Sequence, residues 1–321
     1  MYSKRTRSGY QTQVRRKRLI SFAVLLAAAG AITAASFHFA GNFRGGVKSE
    51  RRELLRLWDE GSFSEVFKQT KDSLIQHPTD YFLLTMNGFS AYQLGISQIN
   101  SLNAAGYFDE CVWALRKAML LKNASNDGRL YYVLGKAYSY KGESFADLAV
   151  KYLEKARELS YNAADIPEYL GLAYASIGDY RSSVTAFAEA LQPREGFDSQ
   201  QGENGSSGLL LLSIARSYLA LGEYESARAY LMRCVDISPD SRTILTARLL
   251  LSEVLKETGD IEGAKKQLQE ILGESDDNAE AHYQLGELYA LQGDTTRARA
   301  EWRLAIRADP AHAKARARLS M

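Results

Sequence analysis

The strongest constraint on this chain is its self-similarity. Residues 279–312 read AEAHYQLGELYALQGDTTRARAEWRLAIRADPAH. Within that stretch Leu285 and Gly286 stand at positions 7 and 8, Tyr289 at 11, Gly293 at 15, Ala298 at 20, Trp302 at 24, Ala305 at 27 and Pro310 at 32. The same slots recur upstream at a period of about 34 residues, the signature of an array of small supersecondary units. Residues 245–278 fill them with Leu251, Ser252, Leu255, Gly259, Ala264, Leu268 and Ile271. Residues 208–241 supply Ile214, Ala215, Tyr218, Gly222, Ala227, Leu231, Cys234 and Pro239, and residues 164–197 supply Leu170, Gly171, Tyr174, Gly178, Ser183, Phe187 and Ala190.

Three earlier stretches are looser. Residues 128–163 keep Leu134, Gly135, Tyr138 and Gly142, after which a two-residue shift brings Ala149, Leu153 and Ala156 into place. Residues 81–126 carry Gly88, Ala91 and Gly95, then an insertion, then Cys111, Leu115 and Ala118. Residues 47–80 keep Leu54, Leu57, Gly61, Phe63, Val66 and Pro78, with Glu53 where an apolar residue is expected.

These spacings predict pairs of helices. Leu285 and Tyr289 are four residues apart and share a helix face. Gly286 is small enough to let a second helix come close. Gly293-Asp294 ends the first helix and opens a turn, and Pro310 stops the second. The pattern, Leu285-Gly286, Tyr289, Gly293, Ala298, Trp302, Ala305, Pro310, resembles that of the tetratricopeptide repeat. That resemblance covers about 47–312 and implies an all-α, right-handed superhelical solenoid of about seven tandem helical hairpins, with 311–321 as a C-terminal cap. The segment 194–207, REGFDSQQGENGSS, interrupts the array as a flexible loop, and is open to a second reading as a hinge or binding loop; 96–106 is weighed the same way.

The amino terminus reads differently. Residues 1–18 hold Lys4, Arg5, Arg7, Arg15, Arg16, Lys17 and Arg18 and no acidic residue, which predicts a disordered basic tail. Residues 19–40, LISFAVLLAAAGAITAASFHFA, carry no charge. An apolar run of this kind after a basic flank predicts a transmembrane signal-anchor helix with the tail in the cytoplasm and the body outside. The expectation is therefore a membrane-anchored bacterial envelope protein, single-pass in the inner membrane, N-in/C-out, with its body in the periplasm. A cleaved signal peptide is the alternative, because Thr33-Ala34-Ala35 offers a small-x-small site.

Composition narrows the function. The formal charge is +2, but with the basic tail set aside the rest of the chain is mildly acidic, which disfavours a nucleic-acid footprint. Cys111 and Cys234 lie far apart and read as buried free thiols, a disulfide or reactive site being the less favoured reading. The histidines His38, His77, His282 and His312 form no metal-ligand spacing, and no nucleophile elbow, P-loop or dinucleotide fingerprint occurs. The chain reads as no enzyme, with no cofactor and no metal.

The resemblance places the binding surface on the first helix of each unit. Carried over to this chain, it implies a protein-binding concave face with Phe82, Phe89, Tyr92, Arg129, Tyr132, Lys136, Tyr140 and Arg216. The carboxylate clamp that some members of the family use for chaperone tails is missing, because Leu55 stands where it needs a polar residue. The expected function is a scaffold that binds protein partners, as peptide segments or envelope-complex subunits, and recruits them to a secretion, pilus, flagellar or cell-wall assembly. A groove for lipid or glycan, and a self-assembling structural protein forming homo-oligomers, are the alternatives.

Overall fold

The computed structural model describes residues 48–98, 103–121, 126–192 and 206–320. Its regular structure is helical throughout, and it divides into two compact units at Ile166/Pro167. The first contains α1 (Lys48–Asp59), α2 (Phe63–Gln76), α3 (Tyr81–Ser97), α4 (Ala104–Met119), α5 (Gly128–Lys141) and α6 (Ala146–Glu158), with a single 3-10 turn at Glu143–Phe145. The second contains α7 (Ile166–Ser176), α8 (Tyr180–Ala190), α9 (Ser206–Ala220), α10 (Tyr224–Ile237), α11 (Ser241–Glu257), α12 (Ile261–Glu274), α13 (Ala279–Leu291), α14 (Thr295–Ala308) and α15 (Ala313–Ser320). Consecutive helices pair as hairpins, so the fold class is an all-α solenoid of helical hairpins.

The hairpins form because small residues sit where two helices cross. A Cβ added to Gly88 would stand 2.5 Å from Leu115, one added to Gly135 2.5 Å from Leu153, and one added to Gly286 2.5 Å from Trp302. Gly171 faces Phe187 in the same way. In α9 and α11 the slot is taken by Ala215 and Ser252, both buried. The turns between the paired helices use glycine for a different reason. Gly61, Gly142, Gly178, Gly222, Gly259 and Gly293 all have positive φ, from 71° to 106°, a conformation that side chains disfavour.

Aspartate or asparagine then restarts the chain. Asp80, Asp127, Asp179, Asp240, Asp260, Asn278 and Asp294 each accept a hydrogen bond from a backbone N–H two or three residues on, satisfying donors that a helix start leaves open. The cap of α13 is Asn278; Asp276 and Asp277 lie outside the helix.

In the first unit the core is built on Leu54, Leu83, Leu84, Leu115, Leu130, Leu134 and Leu153, none of them more than 2% exposed. In the second, Leu211, Leu231, Ala247, Leu251, Leu268, Ala281 and Leu285 form one continuous cluster, and Phe187, Leu210 and Ile214 form another. Trp302 closes the carboxyl end with Ala298, Ala305 and Ala315 of α15.

Two differences from the expectation have physical causes. Gly95 does not end α3, which runs on to Ser97. Its φ is not positive, and its missing side chain makes room for Phe108, whose ring carbon would lie 2.7 Å from a Cβ there.

The second difference is a correction to the anchored architecture. Among the described residues no helix is long and apolar enough to cross a membrane. The longest buried helix, α3, carries Thr85, Asn87, Ser90 and Gln93 among its apolar residues and belongs to the core. The basic tail 1–18 and the segment 19–40 lie outside the described residues, as does nearly all of the 194–207 segment. Among the described residues the fold is accordingly the solenoid alone, with no transmembrane helix. The membrane as a partner, the inner-membrane location and the periplasmic, N-in/C-out placement have no support in the structure.

The crossing geometry gives a paired prediction. Gly286→Ala is expected to destabilise the chain by about 1–3 kcal/mol, because the added methyl overpacks against Trp302. Gly273→Ala, in α12 with nothing within 4 Å of the new methyl, is expected to stabilise it by about 0.5–1 kcal/mol through helix propensity alone. Urea unfolding of the two variants against the parent checks both signs.

Candidate functional site

The side chains expected on the binding face come mostly from two helices. Phe82, Phe89 and Tyr92 lie on α3; Arg129, Tyr132, Lys136 and Tyr140 lie on α5. Arg216 is exposed on α9, which belongs to the second unit.

Lys136 is the centre of the cluster on α3 and α5. It is buried, with its Nζ 2.6 Å from Asp165 Oδ2 and 3.1 Å from Tyr132 Oη. The ammonium also lies 5.0 Å from the centre of the Tyr132 ring and 5.7 Å from that of Tyr92, inside cation–π range. Tyr132 donates its own O–H to Asp165 at 2.9 Å. Tyr140 stacks on Phe108 with ring centres 5.1 Å apart and planes within 5°, and Tyr92 packs against both rings.

Arg129 makes a two-pronged pair with Asp127, 2.8 Å from Nε to Oδ1 and 2.7 Å from Nη2 to Oδ2. Tyr81 donates to the same carboxylate at 2.8 Å. Burial pushes the Asp127 carboxyl upward. The hydrogen bonds and charge of Arg129, with the Tyr81 O–H, outweigh that and hold it below the usual carboxylate range. Burial, reinforced by Asp127, raises the Tyr81 phenol. Phe82 lies under the guanidinium of Arg51 at 5.1 Å, and Arg51 pairs with Asp80 at 2.8 Å. Phe89 packs against Trp58 at 6.4 Å.

A pattern joins these contacts. Asp80 and Asp127 cap α3 and α5, and Asp165 immediately precedes α7. Each accepts from a side chain on the first helix of the preceding hairpin: Arg51, Tyr81, and the pair Tyr132 and Lys136. The structure thus brings Tyr92 of α3 together with Tyr132, Lys136 and Tyr140 of α5, sets Phe82 and Phe89 against Arg51 and Trp58 of α1, and buries Phe82, Phe89, Tyr92, Tyr132 and Lys136. Arg129, Tyr140, Tyr161 and Asp165 remain partly open to solvent. The carboxylates were not anticipated as members of the site. Their signal was present, an Asp just before each first helix, but it reads equally well as a cap alone. Gln93, on the same helix as Tyr92, is 3% exposed, and among the described residues its Nε2 has no hydrogen-bond partner.

A second feature is invisible in the repeat pattern. Between α2 and α4 lies a groove of about 710 Å³ lined by Leu74, Ile75, Asn87 and Trp113 among others. Ile75 is 75% and Trp113 52% exposed. The Lys71–Glu110 ion pair, at 2.8 Å, borders it. Trp113 falls off the buried face marked by Cys111, Leu115 and Ala118, so the repeat is silent about it.

Nothing in these arrangements is suited to bond-making chemistry. Cys111 and Cys234 are free and buried. Burial pushes the Cys111 thiol well above its ordinary value and that of Cys234 up to about 11, so neither supplies a thiolate at neutral pH. His282 is held between Glu301 (2.7 Å) and the carbonyl of Asp276 (3.0 Å), a packing role. Among the described residues no group of His, Cys, Asp and Glu is placed to hold a metal ion.

Comparison with known proteins agrees with this geometry. Residues 188–321 match the family model described as a tetratricopeptide repeat-like domain. The fold is similar to the C-terminal part of a repeat protein of the same kind from Cytophaga hutchinsonii, at 15% identity, over 84% of this chain and 99% of that one, with a TM-score of 0.58. It is similar to PilW, a type IV pilus biogenesis factor, at 15% identity over 72% of this chain and 98% of that one, with a TM-score of 0.54. YrrB, a tetratricopeptide-repeat protein with an unusual peptide-binding site, matches at 22% identity over 65% of this chain and all of that one, with a TM-score of 0.50. No curated protein matches the sequence. The fold is tetratricopeptide-repeat-like, a fold typical of non-catalytic scaffolds for protein–protein interaction.

The Asp127 network sets an acid dependence. Because the native carboxyl titrates below its unfolded value of about 3.9, its contribution is fully present above that value. It is lost as pH falls through the lower native value. Asp127→Asn is expected to be less stable than the parent at pH 7 and to show a shallower loss between about pH 4 and pH 2. Urea unfolding across that range measures it; parallel curves for the two proteins would exclude the linkage.

Proposed function

We propose that the α3–α5 face of the first unit holds a segment of a partner protein, with Phe82, Phe89, Tyr92, Tyr132 and Lys136 as its floor and Arg129 and Tyr140 at its open edge. The observation that carries this reading is the fixed Lys136–Tyr92–Tyr132–Asp165 cluster. Aromatic rings and cations are the commonest energetic centres of protein interfaces. Here their ordering is achieved within the chain, which lowers the entropy lost on binding.

YrrB uses a fold of this kind for a peptide-binding site, and PilW serves pilus biogenesis. Recruitment of a component of an envelope assembly is the finer form of our reading.

A photo-reactive benzoylphenylalanine in place of Tyr140, in the full chain in its native cell, tests the reading. It is expected to cross-link to another polypeptide, with the yield falling at least about five-fold when Lys136→Met is added. The same group at Lys151, exposed on α6 outside this cluster, is the control. Equal products from the two positions, or a yield indifferent to Lys136, would contradict the assignment.

A further inference from the structure

The last hairpin carries a charged surface that its packing does not require. In α14, Ala298, Trp302 and Ala305 face the core. On the other side Thr296, Arg299, Ala300, Arg303 and Arg307 are all exposed. Their spacing of three, four, seven and eleven residues from Thr296 places them on one helical face. Arg299 and Arg303 are four apart, as are Arg303 and Arg307, and like charges at that spacing oppose helix formation. Arg307 gains something from the carboxyl end of the helix; Arg299 and Arg303 do not.

Neighbouring arginines are already engaged. Arg297 pairs with Asp294 and lies 4.8 Å from the Tyr289 ring, and Arg318 donates to Glu287 at 2.9 Å. The acidic residue of α14 itself, Glu301, is turned to His282. Among the described residues, the guanidinium groups of Arg299, Arg303 and Arg307 make no hydrogen bond or ion pair. The corresponding positions of α12 hold Lys265, Gln269 and Gly273, so the repeat itself does not call for arginine there.

We propose that the outer face of α14 binds an acidic helix of a partner protein, one with carboxylates four residues apart. Successive arginines on this face are separated by about 6 Å along the axis, the advance of four helical residues. A partner helix with Glu or Asp at that interval matches all three. Guanidinium groups meet carboxylates in two-pronged pairs. Thr296 and Ala300 leave room between the arginines for the second helix to come close. A nucleic-acid strand fits less well, because this face has no exposed ring on which a base would stack. This surface is separate from the α3–α5 face, and either assignment stands without the other.

The test uses the full chain and two synthetic helical peptides of about 20 residues with identical composition. One carries glutamate every fourth residue and the other a scrambled order. Fluorescence anisotropy is expected to show the patterned peptide bound about ten-fold more tightly than the scrambled one. That binding weakens as salt is raised, and Arg299→Ser/Arg303→Ser/Arg307→Ser removes the preference without lowering the melting temperature. Equal binding of the two peptides, no binding of either, or an unchanged preference in the triple variant overturns the proposal. So does tighter binding of a single-stranded oligonucleotide or of anionic lipid vesicles than of the patterned peptide.

Discussion

Everything in this molecule depends on how closely two helices of a hairpin can cross. In four hairpins the crossing is set by a missing side chain, and in those of α9 and α11 by the small Ala215 and Ser252. Where Gly88, Gly135, Gly171 and Gly286 stand, the partner helix inserts Leu115, Leu153, Phe187 and Trp302 into the space a Cβ would occupy. A helical hairpin alone cannot cover its apolar face. Stacked hairpins do so by sharing one core, as Leu211, Leu251, Leu268 and Leu285 share one in the second unit. The turn glycines complete the device, because positive φ reverses the chain in few residues and the Asp or Asn beyond the turn starts the next helix.

That economy has an electrostatic consequence. An aspartate needed to begin a helix is also placed within reach of the preceding hairpin's first helix. In the first unit Asp80, Asp127 and Asp165 each receive a cation or a phenol from there. The cations that a partner would meet on this face are therefore neutralised in advance and fixed in position. Binding by such a surface relies on shape, ring contacts and a few edge groups more than on unpaired charge. On α14 the situation is reversed, since three arginines project from a helix whose core side is complete.

The fold was legible because its packing repeats. Gly286, Trp302, Ala305 and Gly293 each have one geometric task, and the same task recurs at the same spacing in Gly171 and Phe187 and, with a two-residue shift, in Gly135 and Leu153. The site was legible only in part. The α3 and α5 residues were placed on one face by analogy with the family. Sequence could not show that Tyr92 and Tyr132 would close around Lys136, since that requires knowing where Asp165 comes to lie. Trp113 was missed because no periodicity governs a residue that faces away from the core. Gly95 misled because a glycine has two uses, a left-handed turn or a close contact, and only the position of Phe108 distinguishes them. Hydropathy and a basic flank mark the run 19–40, which lies outside the described residues, and the described helices include none that spans a membrane.

The central claim is that the glycine and the bulky side chain opposite act as one unit. A double-mutant cycle between Gly171 and Phe187 tests it most directly. Gly171→Ala in the parent adds a methyl against a filled space, whereas in a Phe187→Leu background the ring is gone and the methyl has room. Urea unfolding of the four proteins is expected to give a coupling of about 1 kcal/mol or more, with the double variant more stable than the sum of the single changes implies. Additivity within about 0.3–0.5 kcal/mol would show that the two residues act independently, and that some other feature holds the hairpins together.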